Sequence, residues 1–170
     1  MSKMTQLSNA MSGFFKSYGM THTGKHVWMH KTGYGGGIIE FDKSTYGPFF
    51  FVYVGLSISA LENEESIQKK KTSNSIFYRE LLQFGNFPKE EFSKFYQEVT
   101  WMNFTDENEL KVKIENIQEY IIQSKVFDFF AQLETNAQLK TFLLEKKYNE
   151  MLSYHLVTEN EILTYAKQLL

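Results

Sequence analysis

The sequence predicts an α+β fold: an N-terminal helix, an antiparallel sheet of three to four strands, and C-terminal helices packed on one sheet face. Three observations carry that expectation. Residues 36–58 alternate in the manner of a β-hairpin with heavy aromatic loading. Leu7, Met11, Phe14, Phe15 and Tyr18 precede it at helical spacing, and from Pro88 onward apolar residues recur three and four positions apart. Strands early and helices late are the order expected when helices cover one face of an antiparallel sheet. Residues 1–170 read as one domain, with a helix-and-sheet half over 1–84 and a helical half over 88–170.

The first helix is expected over residues 4–18, with Gly19 as its stop. Residues 22–31 read as one strand, with Val27 and Met29 on one face and His26, Trp28 and His30 on the other. The glycine-rich residues 32–37 form a flexible turn into the hairpin. In the first hairpin run Ile39 and Phe41 oppose Ile38, Glu40 and Asp42. Residues 44–48 supply the turn, with Gly47 free to take positive φ. In the second run Phe50, Val52, Val54, Leu56 and Ile58 make a wholly apolar face, which belongs to the core. Phe49, Phe51, Tyr53, Gly55 and Ser57 make the other face, aromatic near the turn and small beyond it. Such a face is either covered by another element or exposed as a binding surface.

Residues 60–75, in which Glu62, Glu64 and Glu65 precede Lys69, Lys70 and Lys71, read as a solvated loop. Residues 76–84 suit a fourth strand or a helix. Pro88 suits a first helical position, ahead of Glu90, Glu91 and the stripe Phe92, Phe95, Tyr96 and Val99. That stripe reads as core. Asp106 caps the next helix, lined by Leu110, Ile114, Ile117 and Ile121. Thr158 and Glu161 match a capping box before Ile162, Ala166 and Leu169.

Composition narrows the function. A chain of 170 residues with 42% hydrophobic content buries a substantial core unaided. The absence of cysteine excludes disulfides, thiolate metal sites and a cysteine nucleophile, and suits a reducing compartment. The longest apolar run, residues 49–56, is too short to span a membrane, and the N-terminus carries no signal-peptide apolar region. A cytoplasmic protein is therefore expected. The net charge of −2 is spread as +3 over residues 1–60, −4 over 61–110 and −1 over the remainder. With 17 lysines and a single arginine, Arg79, nucleic acid is not an expected partner.

Several constellations deserve a chemical test. His22, His26 and His30 share parity in a strand, but neighbours four apart lie about 13 Å from each other, too far to meet on one metal ion. Gly33–Gly37 resembles a phosphate cradle in composition, yet a strand follows where a helix N-terminus is needed. Glu40 and Asp42 share a strand face but lack a histidine or serine in a recognised arrangement. No catalytic residue, metal ligand or cofactor is assigned.

The order of helix, glycine, short strand with Trp28, then a hairpin turning through Lys43-Ser44-Thr45-Tyr46-Gly47, resembles a "domain of unknown function" family of small bacterial proteins. Residues 104–110 and 126–130 resemble that family's helical half, so the likeness covers about residues 10–145. A glutamine of the family pattern is absent near the end of the first hairpin strand, where Asp42 and Lys43 stand. The resemblance implies an α+β fold and no catalytic residues. Small bacterial domains of this kind include immunity proteins, which neutralise a toxin by occluding its active site.

The expected function is a non-enzymatic protein-binding module, such as a toxin-neutralising immunity protein. Its candidate surface is Phe49, Phe51 and Tyr53, joined by His26, Trp28 and His30. The expected partner is a toxin-like protein or a second copy of the chain, with no membrane. The alternative is a small-ligand-binding or hydrolytic enzyme with a site between sheet and helices, using Glu40, Asp42 or a histidine.

Overall fold

The computed structural model describes residues 1–62, 76–154 and 157–170. Helix α1 (Lys3–Ser17) starts where the Ser2 hydroxyl accepts the Thr5 amide, and it buries Met4, Leu7, Met11 and Phe15 along one stripe. Gly19, at φ 78°, ends it in the left-handed conformation that glycine tolerates best.

Among the described residues the sheet has six strands in the order β1-β2-β3-β4-β5-β6, each antiparallel to its neighbour. They are β1 (Thr21–Gly24), β2 (Val27–Lys31), β3 (Gly35–Lys43), β4 (Phe50–Ile58), β5 (Phe77–Glu80) and β6 (Ser153–Tyr154). The expected three to four strands become six for two reasons. The expected strand over residues 22–31 folds back at Lys25-His26, where Gly24 pairs with Val27, and makes a tight hairpin of its own. The two-residue β6 exists by pairing Tyr154 with Phe77, a contact 77 positions apart with no local signature. Residues 76–84 hold both of their alternatives in succession, β5 and then α2 (Leu81–Phe84).

The helical half comprises α3 (Lys89–Lys94), a π-helical turn (Phe95–Val99), α4 (Glu107–Gln123), α5 (Val126–Ala131), α6 (Asn136–Leu144), α7 (Tyr148–Met151) and α8 (Glu159–Gln168). Asp106 caps α4 through the Glu109 amide, and Thr158 with Glu161 forms the capping box of α8. Pro88 stands one position earlier than expected, as the residue before α3. Among the described residues no helix is long and apolar enough to cross a membrane.

One core runs from Met4 to Leu169 and draws on both halves of the chain. Its centre is the face of the sheet that carries Trp28, Ile39, Phe41, Phe50, Val52, Val54 and Leu56, all at most 2% exposed. Phe15 of α1 packs 4.4 Å from Trp28 and 6.0 Å from Phe41, ring centre to ring centre, and Tyr148 of α7 lies 5.5 Å from Phe77. The Phe130 ring of α5 lies against Gly37, where a Cβ would overlap it. The glycine run is thus structural. Gly35 and Gly36, at φ 145° and 137°, already belong to β3, and a side chain on either would collide with a neighbouring strand's carbonyl. Gly47, in contrast, does not use the positive φ open to it. The charged segment with Lys69–Lys71 falls in residues 63–75, outside the described residues.

Candidate functional site

The sheet's second face is built by strand alternation and cross-strand register. Glu40 pairs with Tyr53 and Tyr53 with Glu80, making a row of carboxylate, phenol, carboxylate. Asp42 opposes Phe51 in the next row. Ile38, Gly55 and Tyr78 form the row on the other side. On this face of β4 Phe51 and Tyr53 are half-buried, while Gly55 and Ser57 beyond them are buried together with Ile38; on the opposite face Phe50, Val52 and Val54 are fully buried.

The rings join into a continuous ladder. Phe51 lies 5.4 Å from Phe49 and 6.1 Å from Tyr53, and Tyr53 lies 6.1 Å from Tyr78. Beyond the strand end, Phe49 bridges to Trp101 and stacks on its ring at 5.8 Å. The π-helical turn adds Tyr96, 5.9 Å from Phe49 and 5.4 Å from Phe51. Its neighbour Phe95 points the opposite way, into the core. A π-turn widens the helix locally and re-aims side chains in this manner. Lys113 of α4, itself buried, holds the turn by donating to the carbonyls of Glu98 (2.7 Å) and Val99 (3.2 Å). Tyr46, at the tip of the β3–β4 turn, is 90% exposed.

Three carboxylates, Glu40, Asp42 and Glu80, stand on this face. The Tyr96 hydroxyl donates to Glu80 at 2.8 Å, and burial followed by the Glu80 charge pushes its pKa far above the usual phenol range. Tyr53 is pushed up to about 12 by burial and then by Glu80, Asp42, Tyr78 and Glu40. Burial also raises Asp42 above the ordinary carboxylate value. The one arginine is tied elsewhere: Arg79 opposes Val54 and donates to the Glu150 carbonyl at 3.0 Å. Aromatic faces beside carboxylates offer stacking, apolar contact and negative charge to a partner.

The structure brings three of the six expected surface residues together, Phe49, Phe51 and Tyr53, and separates the other three from them. Trp28 opposes Ile39, so it lies on the core side, 1% exposed between Phe15 and Phe41. His30 opposes Gly37 on that same side, stacks on Phe130 and reaches Glu134 at 3.4 Å. His26 sits in the turn before β2, 2.5 Å from the Ser8 hydroxyl, and burial with the charges of Lys25 and His22 lowers its pKa. The expected grouping of these three with the aromatic face is corrected accordingly. His22 stacks on Trp28 at 5.2 Å, so the three histidines have separate partners. Tyr46, Tyr78, Glu80, Tyr96 and Trp101 were not among the expected surface residues. An exposed tyrosine in a turn was the one legible signal, while the others arrive through tertiary pairing.

Glu40 and Asp42 lie on the side of the sheet away from α1, α5 and α7, so a site between the sheet and those helices does not contain them. A cavity of about 400 Å³ does lie among the helices, lined by Phe129, Leu133, Thr141, Phe142, Lys147 and Met151. No family model, curated protein or solved structure matches the chain. The functional reading accordingly rests on the geometry of the site.

Proposed function

We propose that this chain is a non-enzymatic, cytoplasmic protein-binding module, of the kind by which small bacterial immunity proteins occlude a toxin, and that the second sheet face is its binding surface. One observation carries the reading. A continuous ladder of half-buried rings, Phe49, Phe51, Tyr53, Tyr96 and Trp101, lies on one side of a sheet whose other side is the core, with Tyr46 standing exposed at its end. Contiguous aromatic surface of this type marks interaction sites, and tyrosine and tryptophan dominate binding energy where it has been dissected.

The test is affinity capture from lysate of the source organism, with the wild-type chain and with Phe51→Ser/Tyr53→Ser. A stoichiometric partner on the wild type that is lost from the variant is expected. A partner retained by the variant, or none at any salt concentration, contradicts the proposal. The second reading, a small-ligand protein, draws on the cavity among the helices. A thermal-shift screen of metals and metabolites tests it, because a ligand specific to the native state raises apparent stability.

A further inference from the structure

Resting on that reading, we infer that the segment docked on the second sheet face is a basic one, an arginine- or lysine-bearing stretch of a partner protein. Carboxylates beside half-buried rings complement the charge of such a segment. Asp42 and Glu80 flank the rings of Phe51 and Tyr53 across the strand register. The distance between neighbouring strands, about 5 Å, puts each carboxylate beside a ring. A guanidinium laid on such a ring gains a cation–π contact on its face and charge-assisted hydrogen bonds at its edge.

Two further features favour a cation over a neutral guest. The single arginine of the chain, which would neutralise the patch most effectively, is held on the other side of the sheet by the Glu150 carbonyl. Asp42 is kept as an ionisable carboxylate on a surface whose partial burial disfavours its charge. An approaching cation would relieve that cost, while an acidic or purely apolar guest would add to it. Burial first, and the neighbouring carboxylates second, raise the Tyr53 phenol to about 12.

The test is an NMR titration of the isotope-labelled full chain with hexa-arginine, alongside a neutral peptide carrying phenylalanine and tyrosine and no charged side chain. Hexa-arginine is expected to shift the backbone amides of Asp42, Phe51, Tyr53 and Glu80. Its affinity is expected to fall about tenfold in Asp42→Asn/Glu80→Gln, and by less than twofold in Glu115→Gln/Glu119→Gln, which removes the same charge from α4. Equal loss in both variants means attraction to bulk charge and overturns the inference. Shifts at this face with the neutral peptide alone overturn the basic partner and leave the binding surface standing. No shift at this face with either peptide counts against both. Shifts that grow with protein concentration before any peptide is added make a second copy of the chain the occupant and likewise overturn the basic partner.

Discussion

The two faces of the sheet are made from the same strands and differ in what they do. On β4, Phe50, Val52 and Val54 are sealed beneath the helices, while Phe51 and Tyr53, one residue along, remain half-buried beside carboxylates. Both sets are apolar or aromatic, so hydropathy alone does not separate them. The separation comes from what reaches each side. Phe15, Phe130 and Tyr148 pack their rings on the first face, and among the described residues the π-helical turn with Tyr96 and the Trp101 bridge reach the aromatic end of the second. The first face holds the fold together, and the half-buried aromatic end of the second is the surface proposed for a partner.

The sharpest way to break this contrast is Trp28→Ala. Removing a ring packed between Phe15 and Phe41 is expected to cost about 3–5 kcal/mol, measured by urea unfolding. A loss under about 1 kcal/mol would mean that the ring is not in the core. Gly37→Ala forces a methyl into the ring of Phe130 and is expected to cost about 1–3 kcal/mol in the same measurement. On the second face, Phe51→Ala gives up only part of a full burial and is expected to cost about 1 kcal/mol. Its effect on partner capture is expected to exceed tenfold.

Asp42→Asn sharpens the comparison from the side of charge. The folded-state pKa lies above the ordinary 3.8, so the folded chain holds this proton more tightly than the unfolded chain. The resulting stabilisation is complete below 3.8 and is lost as pH rises through the folded value, so the ionised group disfavours the fold at neutral pH. The variant is therefore expected to melt higher than the wild type at pH 7, with the difference shrinking at pH 3. A lower melting temperature at pH 7 would show that the carboxylate stabilises the native state. Tyr46→Ala, at an exposed turn tip, is expected to change stability by under about 0.5 kcal/mol while weakening partner capture.

Much of the architecture was legible because its signals are local. The α1 stripe, the Gly19 stop, the alternation of β3 and β4, and the caps at Asp106 and Thr158 all depend on residues within a few positions of one another. The candidate surface was legible only in part. Parity correctly groups Trp28 and His30 apart from Val27 and Met29, but parity within a strand does not say which side faces the helices. That depends on the register of β2 against β3, and a one-residue slip would exchange the faces. With Trp28 opposite Ile39, the tryptophan joins the core. Trp101, Tyr96 and Glu80 reach the surface through a bridge, a π-turn and a short strand, each set by contacts distant in sequence.

Hydroxyl-radical footprinting of the folded chain, read residue by residue by mass spectrometry, tests the two-faced sheet most directly. The account predicts that Phe51, Tyr53 and Trp101 are oxidised several-fold faster than Phe41, Phe50 and Trp28, when each is scaled to its unfolded reactivity. Equal protection of Phe51 and Phe50, or a Trp28 as reactive as Trp101, would contradict it.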